Sequence, residues 1–376
     1  MPIVAPNRSP ARIGGRFALV VVSASLPLLA LELFLRLAYP GSVDTMNNAA
    51  FTRVSVQPGQ MTELIPGATN AHFMGGAVRV NAHGFRGAEF AIPKPAGTFR
   101  ILAVGDSVTF GFGVAEEAAF PSLLASSLQA PGQTVEVINA GLPGAGLPYY
   151  FQTVRRWCDH ADADVVVVSV VLNDILAYRP EESLDQPMPA KGQADPAGFG
   201  GPIRRSYVYT AGFRALKSVL YAVHVLDLRD SPGFRFVPLE EDEAERVRAW
   251  EASLKLLDLT VAEGARCGVP LVVAVFPLEL QLSPEALTQY REDLGVALAA
   301  NATDLAPQAT LATWAADRGV PFVDLTPAFQ RDEPRALFLR GAYVTFDPVH
   351  PSPLGHERAA AELAEALREG GFLPTR

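Results

Sequence analysis

The sequence predicts a doubly wound α/β domain built on a parallel sheet, and two observations carry that expectation. Five short apolar runs, at 100–104, 135–138, 164–171, 270–276 and 321–323, are rich in Val or Ile and bounded by Gly, Pro, Asn or Asp. Helical patterns alternate with them, over 120–129, 149–158, 244–262 and 312–318. A strand that stays apolar along its whole length belongs to a sheet covered on both faces, and the intervening helices supply the cover.

The first element in the chain reads as a membrane segment. From Phe17 to Leu31 every residue is apolar or small, and the apolar character resumes after Glu32 through Ala38. A helix over 17–38 is about 33 Å long, enough to cross a hydrocarbon core. Nearly its whole circumference is apolar, which argues against a helix lying on a soluble core. Glu32 and Arg36, one turn apart at the far end, are placed to pair and reach the interface. Arg8, Arg12 and Arg16 precede the span with no acidic residue among them. Residues 1–16 are therefore expected in the cytoplasm, and everything after Tyr39 outside it, in the periplasm of a Gram-negative host. A cleaved signal peptide is the competing reading. No small-x-small pair stands at a suitable position after the apolar run, which favours an uncleaved signal anchor.

Residues 39–98 carry Gly, Pro and Asn turn signals and short alternating runs such as Ala77-Val78-Arg79-Val80. They read as a small, partly β lead-in to an α/β domain at 99–376. Between the third strand and a helix starting near Tyr207 lies an insertion, 180–205, with Asp185-Gln186-Pro187-Met188-Pro189 and several glycines. Loops leaving the carboxyl ends of parallel strands surround the ligand crevice, so this one is a substrate lid or a solvated spacer. The last element is a helix over 353–368, with Glu362, Glu365 and Glu369 on its wet side and Ala360, Leu363, Ala364 and Leu367 on the other.

Composition excludes several classes. With 49% hydrophobic and 19% charged residues, the 376-residue chain has ample material for a core and is not generally disordered. A net charge of −9 without a basic stripe argues against nucleic acid as a partner. Taking away the three positive charges of the tail leaves the exported part at about −12, unsuited to anionic lipid surfaces. Cys158 and Cys267 exclude a disulfide-dense scaffold and a zinc knuckle, and leave open one bridge or two separately buried thiols. No HExxH pair or carboxylate cluster at metal spacing appears, so the chemistry is expected to need neither metal nor cofactor.

The chemistry gathers at strand ends. The first strand runs into Gly105-Asp106-Ser107, and a serine at a strand-to-helix turn presents its hydroxyl at the mouth of the sheet. The second ends in Asn139-Ala140-Gly141 and the third in Leu172-Asn173-Asp174. The backbone N–H groups of Ser107 and Gly141 and the amide of Asn173 then suit a three-donor oxyanion hole. Taken singly, these residues read as a helix cap, a turn glycine and a second cap. Near the C-terminus, Asp347-Pro348-Val349-His350-Pro351 places a carboxylate three residues before an imidazole in a proline-flanked loop. A serine hydroxyl is a poor nucleophile until a base removes its proton, and that base needs a carboxylate to hold its tautomer. His356, in the first turn of the final helix, suits packing or capping instead.

These four blocks, in this order, resemble those of the SGNH, or GDSL-type, hydrolases over roughly residues 98–370. The resemblance implies a three-layer, flavodoxin-like fold with five parallel strands in the order 2-1-3-4-5. It also implies a triad of Ser107, His350 and Asp347, with Gly141 and Asn173 as oxyanion donors beside the backbone of Ser107. The third block departs at Val171, where the family carries glycine. The stretch Asn81-Ala82-His83-Gly84-Phe85-Arg86-Gly87 is similar to one in membrane-tethered bacterial members. The expected activity is that of an extracytoplasmic serine esterase acting on an acyl ester, acetyl included, of a glycan or lipid. Two alternatives keep the same fold, namely a polysaccharide O-acyltransferase with the same triad and a non-catalytic tethered binding or assembly module.

Overall fold

The computed structural model describes residues 10–38, 51–73, 76–177, 184, 206–209, 212–213, 216, 243–293, 303–340 and 347–374. Helix α1 (Pro10–Ala38) comes first. Two antiparallel strand pairs follow, β1 (Thr52–Val54) with β2 (Thr62–Leu64), and β3 (Thr69–Phe73) with β4 (Gly76–Arg79). The α/β part begins with β5 (Thr98–Gly105), α2 (Ser107–Phe110), α3 (Phe120–Leu128), β6 (Thr134–Gly141), α4 (Leu147–Trp157), β7 (Val165–Val171) and α5 (Leu172–Ala177). It continues through α6 (Glu243–Cys267), β8 (Leu271–Phe276), α7 (Pro284–Asp293), α8 (Ala306–Arg318), β9 (Phe322–Asp324), α9 (Thr326–Phe329), α10 (Pro334–Leu337) and α11 (Pro353–Glu369).

Strands β5 to β9 form one parallel sheet in the order β6-β5-β7-β8-β9, which is 2-1-3-4-5 by appearance in the chain. Its central strand, β7, reads VVVVSVV and is buried throughout. Successive side chains of a strand point to opposite faces. Accordingly Val166, Val168 and Val170 join Leu102 and Val104 under Tyr150 and Val154 of α4, Leu256 of α6 and Leu311 of α8. On the other face Val165, Val167 and Val171 pack with Ile101 under Phe120 and Leu124 of α3 and Leu363 and Leu367 of α11. The result is a three-layer α/β/α sandwich, and the two covers explain why the strands are apolar without alternation. The ladders outrun the apolar runs: Thr98 pairs with Thr134, although neither is apolar.

The lead-in shares the first of these cores. Phe51, Leu64, Phe73, Val78, Val80 and Phe85 are buried with Val104 and Phe110, and the Phe51 ring stacks on Phe110 at 5.7 Å. Cys158, just past α4, and Cys267, the last residue of α6, form a disulfide with a Cα–Cα separation of 6.1 Å. At the far end of α1, Arg36 bonds Glu32 at 2.7 Å, while Ser206 Oγ and the Val208 N–H donate to the other Glu32 oxygen. Among the described residues no helix is long and apolar enough to cross a membrane. The side chains of residues 17–22 and 24, within the expected span, lie outside that description, as does the 180–205 insertion apart from Leu184.

Candidate active site

Strand β5 delivers Ser107 through a turn that only glycine can begin: a Cβ on Gly105 would sit 2.0 Å from Thr109 Oγ1. Asp106 caps the following turn, its Oδ1 accepting from the Val108 N–H at 2.8 Å. Helix α2 lasts one turn and stops at Gly111, whose left-handed φ of 84° lets its N–H return to Ser107 O and Val108 O. Ser107 therefore opens a helical turn, where backbone N–H groups have no partner within the helix.

The residues Asp347 to His350 arrive in a pinned loop. Leu339 N–H donates to His350 O at 2.9 Å and Ser352 N–H to Leu337 O at 2.8 Å, while Ser352 caps α11. Behind the loop, Arg340 Nη2 donates to both oxygens of the fully buried Glu279 carboxylate at 2.5 Å, and its Nη1 to Asp347 O. The Glu279 N–H donates to Pro348 O at 2.8 Å.

Inside the loop, Asp347 Oδ1 accepts the N–H groups of Val349 and His350 at 2.9 and 3.0 Å. Its Oδ2 lies 2.6 Å from His350 Nδ1, and His350 Nε2 lies 2.8 Å from Ser107 Oγ. A carboxylate beside Nδ1 requires the proton there, which leaves the Nε2 lone pair for the serine O–H. The Phe112 ring stacks on the imidazole with centroids 4.4 Å apart. Burial pulls His350 down, yet the charge and hydrogen bond of Asp347, with the charge of Asp106, outweigh it and raise the imidazole above its ordinary value. Burial pushes Asp347 up, and the charge and hydrogen bonds of His350 with the Val349 N–H more than offset this, holding it low.

The donors expected for an oxyanion differ in availability. Asn173 is buried on α5 and spends one Nδ2 hydrogen on Asp106 Oδ2 at 3.2 Å, which leaves the second. Burial raises the Asp106 carboxyl, opposed by the Val108 N–H, the charge of His350, and contacts from Asn173 and Ser107. Gly141 pairs with Gly105 across the sheet, and a Cβ there would lie 2.0 Å from Phe110 N, so the two turns touch backbone to backbone. Its N–H, however, donates to Asn139 Oδ1 at 3.0 Å. Gly144, next in the same loop, stands at φ 77° in a turn closed by Ala145 N–H to Leu142 O, with open space where a Cβ would be. Val171 ends β7, its N–H bonded to Asp174 Oδ2 at 2.8 Å. His356 takes a packing role: its Nδ1 accepts the Phe120 N–H, and burial pushes it down to about 3.

Sequence reasoning missed Phe112, Glu279 and Arg340, since nothing in their spacing marks a ring stacked on, or an ion pair behind, a loop far along the chain.

A family model for GDSL-like lipases and acylhydrolases matches residues 103–358. Similar solved structures include a GDSL-like lipase from Bacteroides thetaiotaomicron, 11% identical, covering 72% of this chain and 88% of that one with a TM-score of 0.37. A catalytic mutant of an acetylxylan esterase from Geobacillus stearothermophilus is 16% identical, covering 74% and 97% with a TM-score of 0.39. A family 3 carbohydrate esterase from Clostridium thermocellum is 16% identical, covering 72% and 96% with a TM-score of 0.35. No curated protein sequence matches the chain.

Proposed function

The chain belongs to the GDSL-like lipase/acylhydrolase family and is an ester hydrolase; from that premise we propose that Ser107, His350 and Asp347 are its nucleophile, general base and orienting carboxylate. What supports the reading is one pair of contacts, 2.8 Å from His350 Nε2 to Ser107 Oγ and 2.6 Å from Nδ1 to Asp347 Oδ2. As Oγ bonds to the ester carbonyl carbon, its proton passes to Nε2, and Asp347 stabilises the imidazolium. The carbonyl oxygen becomes an oxyanion, held by the Ser107 N–H and the second N–H of Asn173. In our reading the third donor comes from the 142–146 loop. There Gly144 replaces Gly141, whose N–H is already engaged. The imidazolium then protonates the leaving alkoxide, leaving an acyl-serine. A water molecule gives its proton to His350 and attacks the acyl carbon, which frees the acid and restores Ser107.

The proposed substrate is an acyl ester, acetyl included, of a glycan or lipid. The proposed address is outside the cytoplasm, tethered through residues 17–38. Support comes from the long helix α1, from Leu29 and Leu37 on its surface at 64% and 74% exposure, and from a disulfide, which persists in oxidising compartments. The test assays full-length protein and Ser107→Ala on p-nitrophenyl acetate, acetylated glycans and lysolipids. Acid release by the wild type alone supports the reading; equal release by both overturns it. Alkaline carbonate washing of membranes checks the tether, which fails if the protein leaves in the wash.

A further inference from the structure

We propose that Arg86, from the lead-in, is a positioning residue for the reaction: it holds the two peptide groups that in turn hold Ser107 and carry the ring stacked on His350. The inference rests on the reading of Ser107 as nucleophile.

The Arg86 side chain is fully enclosed, at 2% exposure, and its hydrogen bonds all go to backbone carbonyls. Nη1 donates to Phe110 O at 2.7 Å and Gly111 O at 2.6 Å, and Nη2 donates to Ala77 O at 2.9 Å and Val114 O at 2.8 Å. The guanidinium carbon lies 4.8 Å over the Phe110 ring. Among the described residues no carboxylate pairs with it; Glu116 bonds Arg79 instead. Burying a cation is costly unless polar groups surround it, so this one is kept for its carbonyls. Burial pulls the guanidinium down to about 10, and it remains charged at neutral pH.

Those carbonyls are not arbitrary. Phe110 C=O and Gly111 N–H belong to one peptide group, and Gly111 C=O and Phe112 N–H to the next. On their far sides, the same two groups donate to Ser107 O, at 3.1 Å from Gly111 N and 3.0 Å from Phe112 N. A continuous relay thus runs from guanidinium through two peptide planes to the carbonyl of the nucleophile, each bond polarising the next. The second plane also carries Phe112, whose ring lies against His350. One side chain therefore bears on both ends of the 2.8 Å Ser107–His350 contact, through the Ser107 carbonyl and through the backbone of the ring packed on the imidazole.

The lead-in is folded to deliver it. Asn81 Oδ1 accepts the N–H groups of His83 and Phe85, and Gly84 and Gly87 turn the chain at φ 84° and 118°. Arg86 then makes backbone bridges to Val80 and to Asn139 beside the end of β6. Approach to α2 is close: a Cβ on Gly111 would lie 2.8 Å from Arg86 Nη1.

The test compares Arg86→Ala, Arg86→Lys and Val78→Ala in the full-length enzyme on p-nitrophenyl acetate, with Ser107→Ala as reference, below every variant's melting temperature. Val78 is buried in the same lead-in core but has no part in the relay. A displaced nucleophile lowers kcat on the order of a hundredfold for Arg86→Ala and about tenfold for Arg86→Lys. KM stays within about twofold, since the loss falls on the transition state. Millimolar guanidinium restores part of the kcat of Arg86→Ala, and Val78→Ala melts earlier at unchanged kcat. If Arg86→Ala does not fold, the lysine variant decides. Wild-type kcat in Arg86→Lys, or kcat loss in Val78→Ala matching its loss of stability, overturns the proposal. Turnover persisting in Ser107→Ala overturns the catalytic reading instead, and the proposal with it.

Discussion

Replacing Asp347 by asparagine keeps the volume of the side chain and changes one hydrogen-bonding face, and the structure says which. Oδ1 accepts two backbone N–H groups, from Val349 and His350, so the asparagine oxygen must take that place. An NH2 group there would set donors against donors, leaving two buried amides unpaired. The NH2 therefore faces His350 Nδ1, at a position where the wild type holds an acceptor 2.6 Å away. Nδ1 must then accept, the ring proton moves to Nε2, and an N–H instead of a lone pair points at Ser107 Oγ. The base is lost although no heavy atom has moved. The corresponding change in a serine protease triad lowers kcat by about ten thousandfold, or roughly 5 kcal/mol of transition-state stabilisation at 1.36 kcal/mol per tenfold. The assay is steady-state hydrolysis of p-nitrophenyl acetate, with circular dichroism to verify the fold. A folded Asp347→Asn variant within tenfold of wild type refutes the tautomer argument.

With His350 as the proposed base, activity needs its neutral form, so kcat/KM rises with pH through the folded-state value. Because Asp347 raises that value, the midpoint lies above the ordinary 6.5 or so; a pH profile that is flat or has a lower midpoint contradicts this. Asn173→Ala removes a proposed oxyanion donor and is expected to lower kcat by about a hundred- to a thousandfold with the fold intact, and unchanged kcat removes Asn173 from the site. Replacing Cys158 and Cys267 by serine opens a link across 109 residues, which costs up to about 4–5 kcal/mol in the chain-entropy limit. Chemical denaturation measures the loss, and a stability equal to wild type contradicts it.

The sheet was legible because its physics is local to each strand: a run such as VVVVSVV is sensible only between two covers. Strand ends were less so, since Thr98 and Thr134 are strand by virtue of each other. Asp347 and His350 were legible because three residues in a proline-flanked loop place them together, and Ser107 because Gly105 marks the turn. That the Gly141 N–H has a partner was not legible, because Asn139 folds back two residues to take it. The cysteine pairing was open because the packing of α4 beside α6, not spacing, brings the sulfurs together. Arg86 stood in a stretch that could be noticed but not interpreted, because its acceptors are backbone carbonyls and leave no signature in side-chain pattern.

Covalent labelling tests the central claim most directly. A fluorophosphonate probe on the intact protein, followed by peptide mass spectrometry, should place the adduct on Ser107 and lose it in both Ser107→Ala and His350→Ala. An adduct on another residue, or ester hydrolysis at full rate with Ser107 unlabelled, would contradict the account.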